Sequence, residues 1–128
     1  MTEQLISIQV GGTVAEVSGK LRAELERRGV NLFAEIDHAE AARGVGLDMR
    51  ETRVLLFGNP AAGTPLMQTN ETVALALPLK ALIYAGDSGT QVAYQPLKKQ
   101  ASTFGLDPGI PILSKLDGFM VNLVETLS

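Results

Sequence analysis

The chain contains no cysteine, which removes disulfides, thiolate nucleophiles and cysteine ligation of metals without fixing a compartment. Histidine occurs once, at His38. A zinc centre wants three or four His or Cys ligands, and no carboxylate loop has the spacing of a calcium or magnesium site, so no metal is expected. A basic excess is missing too: 11 Lys and Arg stand against 14 Asp and Glu, for a net charge of −3. Phosphate binding needs a basic face, and the pairs Arg27-Arg28 and Lys98-Lys99 are too small to supply one. Nucleic acid is therefore not an expected partner. No apolar run approaches the roughly twenty residues of a membrane helix, so no membrane partner is expected either. Met1-Thr2-Glu3-Gln4 carries no basic leader and runs into Leu5-Ile6-Ser7-Ile8, which reads as a strand and not a signal peptide. The expectation is a soluble, cytoplasmic protein. Fixed-period repeats and low-complexity segments are absent from the sequence as well.

What is present is enough apolar material, 45% of 128 residues, for one core and one domain spanning 1–128. Leu5 to Val10 reads as a strand closed by Gly11-Gly12. Thr13-Val14-Ala15-Glu16 has the pattern of a capping box. Val14, Val17, Leu21 and Leu25 follow on one helical stripe, with Arg27-Arg28 at the carboxyl end and Gly29 as the left-handed cap. Val30 to Ile36 is a second strand, and Asp37 to Glu40 opens a short helix. Arg53 to Phe57 is a third strand, expected to be buried on both faces because its apolar positions are consecutive. Leu79 to Ala85 and Thr90 to Tyr94 flank the turn Gly86-Asp87-Ser88-Gly89 as a hairpin. Leu97 to Phe104 gives a turn or two of helix ending at Gly105, and Ile112 to Leu127 gives the last helix. Two helix crossovers followed by a hairpin predict an α+β fold: one mixed sheet of about five strands with helices packed mainly on one face.

The densest punctuation lies between the third and fourth strands, in Phe57-Gly58-Asn59-Pro60-Ala61-Ala62-Gly63-Thr64-Pro65-Leu66-Met67. Asn59 is a good N-cap and Pro60 a good first helical residue. Gly63 and Pro65 come so soon after that the helix is expected to be short or interrupted. A strand running into a helix start presents free N–H groups beside a positive dipole, a seat for an anion. It is not a phosphate loop, since no lysine follows the second glycine.

From Phe33 to Leu106 the chain resembles the domain of unknown function 302 family. The residues that carry the resemblance are Ile36-Asp37-His38 with Ala41-Ala42, Leu56-Phe57-Gly58-Asn59-Pro60, Gly63-Thr64-Pro65-Leu66-Met67, Leu77-Pro78-Leu79-Lys80 and Tyr94-Gln95-Pro96. The resemblance implies a compact single-sheet fold, often a homodimer. It implies no reaction, substrate or cofactor.

Two functional readings follow. In the first, a non-catalytic and dimeric module binds a small apolar or anionic ligand through Phe57, Gly58, Asn59, Gly63, Thr64 and Met67. In the second, an enzyme uses the Asp37-His38 pair as general base, with loop N–H groups steadying an anionic intermediate. The second requires His38 and Asn59 to converge on one pocket. A structural alternative exists for each element: Asp37 as a helix cap beside a half-buried His38 bonded to a backbone carbonyl, and the loop as a plain strand-to-helix turn. A third possibility is assembly through a free edge of the Lys80–Tyr94 hairpin. Met49, Met67 and Met120 are expected to fill gaps in the core, and neither reading needs a cofactor.

Overall fold

Thr13 begins the first helix by a reciprocal cap. Its hydroxyl accepts from the Glu16 N–H at 3.1 Å while the Glu16 carboxylate accepts from the Thr13 N–H at 2.9 Å, satisfying two donors that a bare helix end leaves unpaired. Helix α1 (Val14–Arg27) then buries Val14, Val17, Leu21 and Leu25 along the predicted stripe, each large aliphatic contributing about 1.5–3 kcal/mol by burial. Gly29 follows with φ of 70°, the left-handed value that glycine adopts without a Cβ penalty. The computed structural model describes residues 5–128. The reading of residues 1–4 as the lead-in to a strand lies outside the described residues.

Strands β1 (Ile6–Val10), β2 (Asn31–Asp37), β3 (Thr52–Gly58), β4 (Leu79–Gly86) and β5 (Gly89–Tyr94) form one sheet in the order β1-β5-β4-β3-β2. Every neighbouring pair is antiparallel. The α+β class stands, but the sheet is not mixed. Helix α1 carries the chain from one sheet edge to the other, so the strands it links never pair. Helix α2 (His38–Gly44) makes no crossover at all and returns the chain beside β2. The β4–β5 hairpin closes at the pair Gly86 and Gly89, as the turn residues predict. Both of its strands lie inside the sheet, so it has no free edge, and the edges are β1 and β2.

Alternation along the strands sorts side chains to two faces. Leu55, Phe57, Ala81, Ile83, Val92 and Tyr94 turn toward α1 and α4 (Pro111–Glu125), where Met120, Leu123, Val124 and Leu127 complete the main core. Val54, Leu56 and Leu82 point the other way and are half-buried. The expectation that β3 is buried on both faces is thus corrected. Strands flank it on both sides, but α1 and α4 cover one face of the sheet.

A second, smaller core caps one end of the sheet. It joins Leu66 of α3 (Pro60–Thr69), Val73 and Ala76 of the 3-10 helix Glu71–Ala76, and Leu97, Ala101 and Leu106 beyond β5. Leu113 and Leu116 of α4 enter the same cluster, so α4 braces both cores. The segment after β5 makes two 3-10 turns, Leu97–Lys99 and Ala101–Phe104, and stops at Gly105 with φ of 67°. Helix α3 is longer than expected, continuing through Gly63 and Pro65 for 10 residues. Proline there removes the bond to the carbonyl of Ala61; both residues are exposed, where water can take up the freed carbonyl. Met120 is buried as predicted, whereas Met49 is 44% exposed and fills no gap.

Candidate functional site

Gly58 ends β3 on the face of the sheet away from α1 and α4, and Asn59 and Pro60 turn the chain into α3. Between that sheet face, α3 and the segment entering β4 lies a cavity of about 450 Å³. Ala34, Leu56 and Gly58 form its sheet wall, and Asn59, Gly63, Thr64 and Met67 its helix wall. Leu77, Pro78 and Leu79 close a third side, with Phe33 at the rim of β2. The lining is almost wholly apolar. Its size falls within the roughly 300–1,000 Å³ usual for small-molecule sites. The glycines keep it open: a Cβ on Gly63 would stand 3.6 Å from Leu77 Cδ1, and one on Gly58 would stand 3.5 Å from Phe33 Cε2. Both are ordinary contacts, so added carbon there narrows the space without a clash.

Of the six loop residues singled out from the sequence, Gly58, Asn59, Gly63, Thr64 and Met67 line this cavity. Phe57 does not. Its side chain is fully buried among the main-core residues on the other face, as period-2 alternation requires once Leu56 and Gly58 face the cavity. The helix start is also less receptive to an anion than its sequence implies. Asn59 Oδ1 accepts from the Ala61 N–H at 3.0 Å, the Asn59 carbonyl accepts from Ala62 and Gly63, and Pro60 has no N–H. Every donor of the first turn is already engaged.

Asp37 and His38 lie elsewhere. In the β2–β3 ladder Asn31 pairs with Gly58, while Asp37 pairs with Arg53. Five residue steps of about 3.3 Å each therefore set the Asp37-His38 junction roughly 16 Å from the start of α3. The two strand-to-helix junctions occupy opposite ends of the ladder, and the convergence of His38 with Asn59 does not occur. Asp37 is committed to structure: Oδ1 accepts from the Glu40 N–H at 2.9 Å, and Oδ2 stands 3.5 Å from Arg53 Nε. Arg53 also donates to Glu35 at 2.9 Å, and Glu35 in turn pairs with Arg22 at 2.6 Å. The bond to Glu35 raises the Arg53 pKa above its ordinary value, with Asp37 adding to it against the opposing effect of burial. His38 is exposed at the mouth of α2.

A second cavity of about 300 Å³ is lined by Val54, Leu82 and Ala93 of the same sheet face and by Tyr94, Asp117 and Met120 from the side of α4. It shares Leu79 with the first. Its polar lining includes Lys80, Gln95 and Gln100. Lys80 was not among the residues singled out, although it was one of those carrying the family resemblance. The signal for it was present: it is the single charge in the apolar run from Leu79 to Ala85. Burial lowers its pKa from the ordinary lysine value. Among the described residues, no group of three or more His, Asp or Glu side chains is arranged to hold a metal ion.

Residues 6–126 match the family described as "Domain of unknown function DUF302". A crystal structure of an uncharacterized conserved DUF302 protein from Bacillus stearothermophilus superposes with a TM-score of 0.87 over 98% of both chains, at 17% identity, which is a likeness of fold. Two proteins named "Fluoride-specific ion channel FluC 1" are similar over 85 residues at 36% identity. One, from Brucella suis biovar 1 (strain 1330), is matched over 66% of this chain and 34% of its own length. The other, from Brucella abortus biovar 1 (strain 9-941), is matched over 66% of this chain and 32% of its own. The chain thus spans about a third of the length of the curated relatives it matches. Among the described residues, no helix is long and apolar enough to cross a membrane.

Proposed function

Because the chain belongs to the DUF302 family, whose description assigns no reaction, we propose from the site itself that it is a non-catalytic module binding a small apolar ligand. The observation that carries this reading is the cavity between the open sheet face and α3, apolar on nearly every side and kept wide by Gly58 and Gly63. An enzyme built on Asp37-His38 is disfavoured by the separation of that pair from the loop. A binding accessory also suits a unit whose likeness recurs as about a third of longer proteins. The test is a thermal-shift screen with small apolar compounds, since a ligand specific for the native state raises its apparent stability. Binders should stabilise the parent protein and lose their effect on Gly63→Leu, whose side chain fills the space. Equal stabilisation of both proteins would overturn the reading.

The module is further proposed to act as a homodimer. Edge strand β2 exposes Leu32, Phe33 and Ile36 at 38%, 55% and 42%, and an unpaired apolar edge invites a second copy. A partner seated there would lie against the cavity rim at Phe33. Light scattering should give a dimer for the parent protein and a monomer for Ile36→Lys. An unchanged mass would remove this edge as the interface.

A further inference from the structure

We infer that the cavity reading extends to an amphiphilic anion: a single-chain carboxylate whose tail lies in the α3 cavity and whose head is held by the Lys80 ammonium. The inference rests on the apolar-ligand reading above and adds the chemistry of the ligand's other end.

Leu56 and Lys80 are direct partners in the β3–β4 ladder. Residues opposite each other in an antiparallel pair project to the same face, about 4.5–5.5 Å apart at Cα. Leu56 lines the α3 cavity and Lys80 lines its neighbour. Leu79, the partner of Phe57 in the same ladder, borders both, and the Leu56–Lys80 pair sets the two hollows side by side. One hollow is apolar. The other has an apolar floor of Val54, Leu82 and Ala93 with Lys80, Gln95 and Gln100 around it. Such a division suits a molecule with one greasy and one charged end.

The Lys80 ammonium is available for such a head group. Its Nζ donates to the Ala76 carbonyl at 3.3 Å, leaving two of its three donors without a partner among the described residues. Two of the other polar side chains in this hollow are engaged. Asp117, the acid in the same hollow, spends both oxygens on the N–H groups of Leu97 and Lys98, and Gln100 donates to the Gln95 carbonyl at 3.3 Å. A cation that has lost solvent on one side and makes no ion pair among the described residues is where an anion binds with least competition. The start of α3, with all its donors taken, is not.

The experiment compares dodecanoate with dodecan-1-ol, below their aggregation limits, by calorimetric titration of the whole chain and two variants. Lys80→Met keeps the aliphatic stem without the charge. Ala34→Phe fills the α3 cavity from an exposed strand position. The parent protein should bind the carboxylate about tenfold or more tightly than the alcohol, from one charge-assisted hydrogen bond. Lys80→Met should erase that preference while holding the alcohol as before, and Ala34→Phe should weaken both. The parent's preference should fade as pH rises through the lowered Lys80 pKa. Equal affinity of the parent for the two ligands, or a preference that survives Lys80→Met, overturns the role of Lys80 and leaves the apolar cavity standing. Failure of both to bind overturns the cavity reading and this inference with it.

Discussion

Asp117 of α4 and Leu97, just past β5, are joined by a hydrogen bond of 2.7 Å in which Asp117 Oδ1 accepts from the Leu97 N–H. The other oxygen accepts from Lys98 at 3.1 Å. One carboxylate therefore caps the 3-10 turn Leu97–Lys99, which has no cap of its own, and pins α4 to the exit of the sheet. Asp117→Ala strands a partly buried N–H and is expected to cost about 1–3 kcal/mol. Asp117→Asn, which keeps one acceptor, should cost less. Urea unfolding of the two variants checks the order.

Ser18 sits on the buried side of α1 at 0% exposure, and its hydroxyl has no hydrogen-bond partner. Alanine there removes an unsatisfied polar atom and adds helix propensity. Ser18→Ala should raise stability by about 1 kcal/mol, measured as a higher denaturant midpoint at unchanged slope. A loss of stability would mean the hydroxyl has a partner in solution.

Gly118 is exposed within α4, and a Cβ there would meet nothing within 4 Å. Gly118→Ala should stabilise the protein by roughly 0.8–1 kcal/mol through backbone entropy alone. Because α4 braces both cores, thermal melting should shift upward as one transition.

Glu24 holds Arg27 and Arg28 together, accepting from Arg28 Nε at 2.9 Å and from Arg27 Nε at 3.0 Å. Hydrogen bonds from Arg27 and then Arg28 depress its pKa to about 2. A depressed carboxylate contributes stability that is present above its unfolded value, about 4.3, and is lost as pH falls through the folded value. Stability of the parent should therefore fall between about pH 4 and 2 more steeply than that of Glu24→Gln. Arg28 also donates to Asn122 at 2.8 Å and lies 5.6 Å from the centre of the Phe119 ring, so the variant should loosen α1 from α4 at neutral pH.

Tyr94 is buried, and that burial, with Asp117 and Glu125 adding to it, raises its pKa above the ordinary tyrosine value. The associated stability is fully present below the unfolded value near 10 and is lost as pH rises through the folded one. Tyr94→Phe should flatten that alkaline loss, read from unfolding curves across the range.

Local signals carried the elements. The Thr13–Glu16 box, the stripe Val14-Val17-Leu21-Leu25 and the Gly86–Gly89 turn each act within a few residues, and each is found where its chemistry places it. Strand pairing was illegible because it depends on distant partners: nothing near Ile6 in the chain announces Tyr94 opposite it. The same limit applied to the site. The Asn59 cap and the open Gly58–Met67 wall were readable, but Ala34 and Lys80 come to the site through their pairing with Leu56 in the sheet. Asp37 and Asn59 look alike locally, each an N-cap after a strand. Antiparallel pairing of β2 with β3 sends them to opposite ends.

The position of α1 has a bearing on how the chain comes together. β1 and β2 are the two outer strands, so the first to be synthesised make the outline of a sheet with no interior. β1 finds its neighbour in β5, about eighty or more positions later. Non-local pairing of this kind slows folding, because loop closure must precede the reward. The early part of the chain thus waits, half-built, for the hairpin that slots into its middle, and truncations anywhere before Tyr94 are expected to leave no stable remnant.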